Sequence, residues 1–316
     1  KREGAVAVPA VSTITEILRR HGKLEQRAHE HPGPYQRFER AQPNELWQMD
    51  FKGDFALSRG RCYPLTVIDD CSRYSPCAQA CGNQQDVGTR EQLVAVFRRY
   101  GMPDTMLMDN GPPWGDTGGG RFTAFAVWLL RLGIRVTHGR PYHPQTQGKD
   151  ERLHRTMKAE IALDRLADLD QCQRAFDSWR QRYNHYRPHQ AIGMATPGEL
   201  YRPSERSFPE SLPPIEYGTG DFVRKVDADG HISFKNYRIR LGKPFRGERI
   251  ALRATIEDGV FSIHYCSHAI GTIDLRADTA CGLVDIAPAA CPGGETVDAM
   301  PTTPQAQPLQ TLDNRA

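Results

Sequence analysis

The sequence predicts an α/β fold: a mixed sheet of about five strands with flanking helices, followed by a small all-β barrel. Three observations carry that expectation. Short strand-like runs joined by a polar turn occupy residues 46–81, helix and strand patterns alternate over 86–186, and short alternating runs with turn signals return over 215–275. Runs joined by tight turns make antiparallel meanders, whereas alternation of helix and strand builds parallel pairings.

Ahead of the sheet, residues 12–22 (STITEILRRHG) read as a short helix. Thr13 and Glu16 have capping-box spacing, Ile14, Ile17 and Leu18 make a stripe, and Gly22 suits the residue after the last turn. One helix does not fold alone, and the chain opens on Lys1, so residues 1–42 are expected to be the remnant of a helical region plus a polar connector. In ELWQMDFKGDF, Trp47, Met49, Phe51 and Phe55 share one parity while Gln48, Asp50, Lys52 and Asp54 share the other, the pattern of a half-buried strand with Asp50 on its polar side. RCYPLTVIDD and RYSPCAQAC complete a three-stranded meander. Then DVGTREQLVAVFRRYG has helical period ending at Gly101, TMLMDNG is a short apolar strand, RFTAFAVWLLRLG an apolar helix and IRVTHG a strand. Residues 148–186 are largely helical, with Leu153, Met157 and Ile161, then Phe176, Trp179 and Tyr183, as packing positions. A core domain is therefore expected over 43–186. Prolines at 188, 197, 203, 209, 213 and 214 predict a linker over 187–214. Turns at 227–230 and 257–259 space the strands of the barrel over 215–275, and the Pro-, Thr- and Gln-rich tail over 286–316 is expected to be disordered.

The composition of the 316-residue chain excludes some functions. Lys and Arg number 41 against 38 acids, a net charge of only +3, so any nucleic-acid surface must be local. No apolar run is long enough to span a bilayer. The eight cysteines form no CxxC pair or finger-like spacing and read as reduced core thiols of a cytoplasmic protein.

Three acids stand where a core rarely places them. Asp50 is mid-strand, where aspartate is disfavoured; Asp109 closes an apolar strand, at the carboxyl end where open α/β sheets gather ligands; Glu151 begins a helix. At about 100° per residue, Glu151 falls on a polar stripe with Arg155, Lys158 and His154, whereas Asp150 falls on the packing side with Leu153, Met157 and Ile161. Converging carboxylates need a cation, and hard oxygen ligands select Mg²⁺ or Mn²⁺. Two such ions roughly 3.5 to 4 Å apart suit an in-line phosphodiester displacement. Each acid taken singly also fits a cap, a turn or a solvated position.

The motifs LWQMDFKG (46–53), TVIDDCSRY (66–74), MDNGPPW (108–114), HGRPYHPQTQGKDERLHRTMKAE (138–160) and YNHYRPHQAIGMATPGELY (183–201) together resemble the catalytic core of the DDE transposases and retroviral integrases, in their bacterial insertion-sequence branch. The resemblance covers about residues 12–201. It implies a ribonuclease-H-like fold for 43–186, with Asp50, Asp109 and Glu151 as catalytic residues and ligands of two Mg²⁺ or Mn²⁺ ions. The implied reaction is metal-dependent DNA strand cleavage at transposon ends followed by transfer of the 3′-hydroxyl into target DNA. It also implies DNA as partner and a homo-oligomer that holds two ends together. Two departures stand out: 41 residues separate Asp109 from Glu151, with the Gly-rich GDTGGGR (115–121) absorbing length, and Asp150 stands where the family motif commonly has an apolar residue. DNA contacts are expected from His143, Gln147, Lys149, Arg152, Arg155 and Lys158, and from Arg238 and Arg240 in the barrel. Between Arg224 and Arg253, nine basic residues face three acids, and the stretch resembles the SH3-like basic barrels that follow integrase cores. The helix at 12–22 resembles the end of a helix-turn-helix region. The alternatives are a catalytically decayed DNA-binding remnant and a ribonuclease-H-like nuclease.

Overall fold

The computed structural model describes residues 11–21, 39–109, 111, 114–115, 122–138, 148–276 and 283–285. The chain divides into two units, 1–37 and 38–316. In the first, helix α1 (Val11–Arg20) has an ion pair between Glu16 and Arg19 one turn apart. The helix begins at Val11, so Thr13 lies inside its first turn and does not cap it.

The second unit is built on a sheet of β1 (Trp47–Phe51), β2 (Phe55–Ala56), β3 (Arg61–Asp69), β4 (Cys77–Cys81), β5 (Thr105–Met108) and β6 (Arg135–His138). β3 pairs antiparallel with β1, β4 and the two-residue β2, while β5 and β6 add in parallel on the other side of β1. This is the expected mixed sheet, with β2 as a short addition. The parallel half exists because helices carry the chain back: α2 (Asp86–Tyr100) precedes β5 and α3 (Ala124–Arg131) precedes β6. The Thr123 hydroxyl caps α3 by accepting the Ala126 N–H at 3.1 Å.

Both faces of the sheet are covered. Trp47, Met49, Leu65 and Val67 pack with Leu93 and Phe97 of α2 and Phe125 and Leu129 of α3. On the opposite face Cys62, Ile68 and Ala78 meet Leu153 and Met157 of α4 (Gly148–Glu160) and Phe176, Trp179 and Tyr183 of α5 (Leu169–His185). β1 is accordingly not half-buried. Gln48, expected on a polar side, is 1% exposed and donates to Asp70 Oδ1 at 2.8 Å, because α4 and α5 close the face that alternation alone would leave to water.

The proline-rich stretch is a packed strap rather than a free tether. The short helix α6 (Pro197–Leu200) begins with a capping box of Thr196 and Glu199, and Tyr201 stacks on Tyr74 with ring centroids 4.2 Å apart. Ser204 N–H donates to Tyr100 O at 2.8 Å, where the strap crosses the end of α2. Gly101 permits that crossing: its φ is +74°, and a Cβ there would meet Ser204 O at 2.3 Å. Prolines forbid a long helix but allow extended chain whose donors and acceptors are satisfied by the core.

Beyond the strap, β7 (Phe222–Lys225), β10 (Arg249–Ala254), β11 (Val260–Tyr265) and β12 (His268–Asp274) form one antiparallel sheet. β8 (His231–Phe234) and β9 (Tyr237–Arg240) form a second, to which β13 (Leu283–Asp285) adds in parallel, past the expected end at 275. The two sheets enclose one core of Ile232, Phe234, Ile239, Phe245, Leu252, Ile263 and Tyr265, and Val127 and Leu130 of α3 belong to the same cluster. Helix α3 thus buries one face on the α/β sheet and another in the all-β region. Phe122 and Phe245 meet edge to face with centroids 5.1 Å apart at that junction. The tail over 286–316 lies outside the described residues. Among the described residues, no helix is long and apolar enough to cross a membrane.

Candidate active site

Neighbouring strands carry Asp50 and Asp109, and one helix carries Glu151. β1 and β5 run parallel, with Gln48 opposite Leu107; two residues further along each strand stand Asp50 and Asp109. Burial first, then the charge of Asp109 and to a lesser degree that of Glu151, pushes the Asp50 carboxyl up to about 7. Asp109 is also raised, chiefly by burial, and partly relieved by the Gly111 N–H. A Cβ on Gly111 would stand 3.1 Å from Asp109 Oδ2, so this close approach of backbone to carboxylate relies on glycine. The His138 ring nitrogen Nδ1 lies 2.8 Å from the Asp109 carbonyl oxygen and fixes the backbone that carries the acid. Asp109 Oδ1 is buried with no hydrogen-bond partner among the described residues.

Glu151 is exposed in the first turn of α4, and its charge reaches both Asp50 and Asp150. Asp150 faces inward, as the helical wheel predicts, and is 1% exposed. Across the sheet from Asp50, Thr66 of β3 places its hydroxyl 3.1 Å from Asp150 Oδ1, 3.2 Å from the Asp50 carbonyl oxygen and 2.7 Å from His154 Nε2. Burial, then the charge of Asp50, raises Asp150 well above the ordinary carboxylate range. Burial, with help from the Lys52 charge, pushes His154 down to about 4, so its imidazole is neutral at pH 7.

Matches to known protein families cover most of the second unit. Residues 40–144 match a family model described as an integrase core domain, 132–197 match a second integrase core domain model, and 221–281 match the C-terminal domain of IS481 family transposases. The chain carries an integrase core followed by an IS481-type transposase C-terminal domain. Relatives include the insertion element IS476 uncharacterized 39.2 kDa protein of Xanthomonas euvesicatoria, 28% identical over 162 residues that make up 50% of this chain and 44% of the relative. The insertion element IS407 uncharacterized 31.7 kDa protein of Burkholderia multivorans is 27% identical over 162 residues, 50% of this chain and 55% of that one. The chain thus spans about half the length of these relatives. Among solved structures, the HTLV-2 integrase catalytic core domain in complex with magnesium is similar at 15% identity and a TM-score of 0.39, covering 51% of this chain and 97% of that one.

Within the integrase core, the expected DNA contacts divide. Arg152, Arg155 and Lys158 are exposed on α4. Lys149 is not: it turns inward to pair with Asp70, whose side chain is fully buried, and burial pushes the Lys149 ammonium down to about 8 despite that partner. The reason is packing, since the first turn of α4 needs an anchor and Asp70 needs a cation. His143 and Gln147 lie outside the described residues. In the transposase C-terminal domain Arg240 is exposed, and Arg238 is half-exposed and shared with Asp227 at 3.2 Å and Asp229 at 3.7 Å.

Sequence reasoning missed Thr66, Asp70 and His154 as members of this neighbourhood. Thr66 and Asp70 signalled only by polar character inside the otherwise apolar TVIDD, and His154 only by its place on the polar stripe beside Glu151.

Proposed function

We propose that the chain is a transposase that cleaves DNA at transposon ends and transfers the freed 3′-hydroxyl into target DNA, with Asp50, Asp109 and Glu151 as its catalytic acids. The observation that carries this reading is that Asp50 lies within reach of the charges of both Asp109 and Glu151, with Asp50 and Asp109 raised chiefly by burial and Asp109 Oδ1 buried with no hydrogen-bond partner among the described residues. That donor set, all oxygen and short of positive charge, fits two Mg²⁺ or Mn²⁺ ions. When bound, such ions supply charge neutralisation and in-line geometry for phosphodiester displacement.

The chain's own residues do the remainder. The strands carry Asp50 and Asp109, His138 and Gly111 fix the backbone around Asp109, and α4 presents Glu151 from its first turn. Arg152, Arg155 and Lys158, exposed on the helix that carries Glu151, hold DNA phosphates beside the acids. The basic all-β region, through Arg238 and Arg240, holds DNA further away, with phosphate contacts that weaken as salt rises. Two ends must be held at once, which calls for a homo-oligomer. The core over 43–186 and the all-β region over 215–275 act as the catalytic and DNA-holding parts.

The test is a cleavage and joining assay on DNA carrying the element's own ends, with and without Mg²⁺. Wild type cuts and joins; a nuclease of the same fold would cut and never join, and a decayed remnant would bind without cutting. Unchanged activity in Asp50→Asn, Asp109→Asn or Glu151→Gln would sink the assignment of that residue.

A further inference from the structure

We propose a second cation site behind the catalytic acids, formed by Asp50, Asp150 and His154, that takes a borderline transition metal of the Zn²⁺ class and, by engaging Asp50, opposes Mg²⁺-dependent catalysis. One donor atom from each of the three residues lies within 4.8 Å of the other two. Asp150 and His154 stand four residues apart on one face of α4, the spacing at which a helix offers two ligands to one ion.

A separate observation points to a missing cation. Asp150 is 1% exposed, and among the described residues its buried Oδ2 has no hydrogen-bond partner and its only neighbour within ion-pair distance is His154, at 3.6 Å. Thr66 sits amid the group, but a hydroxyl carries one proton and here has three contacts, so it donates to one oxygen at most. Two neighbouring carboxylates are left short of positive charge in a setting where bare charge is costly. Asp70, by contrast, has its lysine.

The donor chemistry selects the ion. Mg²⁺ prefers an all-oxygen shell with several waters, while an imidazole nitrogen with two carboxylates suits Zn²⁺ or Co²⁺. Because Asp50 belongs to both sets, occupancy of this site withdraws an oxygen donor from the catalytic one. The site goes beyond the proposed transposase activity and shares with it only Asp50.

The experiment is a calorimetric titration of Zn²⁺ into the full chain carrying Asp109→Asn and Glu151→Gln, which strips the catalytic set of its other two carboxylates. A single saturable Zn²⁺ site is expected to persist, and adding either Asp150→Asn or His154→Phe weakens it by about tenfold or more. With Co²⁺ as a probe, the visible absorption band changes when His154→Phe removes the nitrogen donor. In the otherwise wild-type chain, Zn²⁺ inhibits Mg²⁺-dependent cleavage, and His154→Phe raises the concentration needed. No Zn²⁺ binding in the doubly substituted chain, or binding indifferent to both Asp150→Asn and His154→Phe, overturns the proposal; if Asp150→Asn does not fold, the His154→Phe arm decides alone. Loss of this site leaves the Mg²⁺ reaction standing, whereas failure of the transposase reading appears as Asp109→Asn retaining cleavage.

Discussion

The aspartates of the all-β region and those of the candidate site are treated in opposite ways. In the all-β region each of three aspartates has an arginine. Asp221 accepts from Arg253 Nε and Nη2 at 2.8 and 3.0 Å, Asp227 from Arg238 at 3.2 Å and Asp274 from Arg276 at 2.8 Å. All three are held below the ordinary carboxylate value: Asp221 chiefly by the Arg253 hydrogen bond, Asp227 chiefly by the His231 N–H, and Asp274 down to about 2 chiefly by the Arg276 hydrogen bond. In the integrase core Asp50, Asp109 and Asp150 are raised, each chiefly by burial, and none has a lysine or arginine partner among the described residues. The three braced aspartates of the all-β region come with their cation, whereas the raised acids around Asp50 have none among the described residues. Asp70 sharpens the point, since it is as buried as any yet is paired with Lys149 and belongs to the bracing class.

The largest effect separating the two classes is catalytic. Asp50→Asn, Asp109→Asn and Glu151→Gln should each lower Mg²⁺-dependent cleavage by about 10³-fold or more, whereas Asp221→Asn should change it by no more than a few-fold. A comparable loss in Asp221→Asn would break the distinction.

Next comes stability. Phe245 is fully buried in the all-β core that also takes in Val127 and Leu130 of α3. Phe245→Ala should cost about 3–5 kcal/mol in urea unfolding. All four tryptophans precede residue 180, in the integrase core. Their fluorescence transition should nevertheless shift together with far-UV circular dichroism, because the two regions share α3. Separate transitions would show that the halves fold independently.

The third test is the sign of the pH dependence. Asp50 is raised from 3.8 to about 7, so between those values the folded metal-free chain binds a proton that the unfolded chain has lost. Its contribution to stability is present below about 4 and is lost as pH rises through 7. Asp50→Asn removes that titration, so its melting temperature relative to wild type should climb between pH 4 and 7. Asp221 runs the other way: its stabilisation is present above the ordinary carboxylate pKa and lost as pH falls through its depressed one, so the deficit of Asp221→Asn should close below about pH 4. Parallel profiles would collapse the comparison.

The smallest effect concerns DNA. Arg155→Ala should weaken binding uniformly across sequences and reduce the slope of log affinity against log salt by about 1, with cleavage chemistry little changed at saturating DNA. An unaltered slope would remove Arg155 from the DNA surface.

Much of the core was legible in advance because its elements are punctuated locally. The period of residues 86–101 and the stop at Gly101 mark α2, and the wheel of α4 correctly sends Asp150 inward and Glu151 outward. Gln48 was misread because parity reports which residues alternate, not whether a second layer of helices covers the other face. Lys149 was misread for a related reason: a lysine next to an acidic helix start looks solvated until the buried Asp70, nearly eighty positions earlier, is brought beneath it. The packing of the proline-rich linker was not legible, because prolines exclude helix without saying what an extended segment leans on.

By itself the sequence determined the identity and order of the elements, the spacing of Asp50, Asp109 and Glu151, and the family to which those motifs belong, since each depends on local periodicity or linear pattern. Only the tertiary structure decided which polar groups share a dry environment. It joined Asp150, Thr66 and His154 behind Asp50, gave Asp70 its lysine, and sank one face of α3 into the all-β core. Burial and charge pairing are properties of groups far apart in the chain, and a carboxylate's pKa depends on what folding brings beside it.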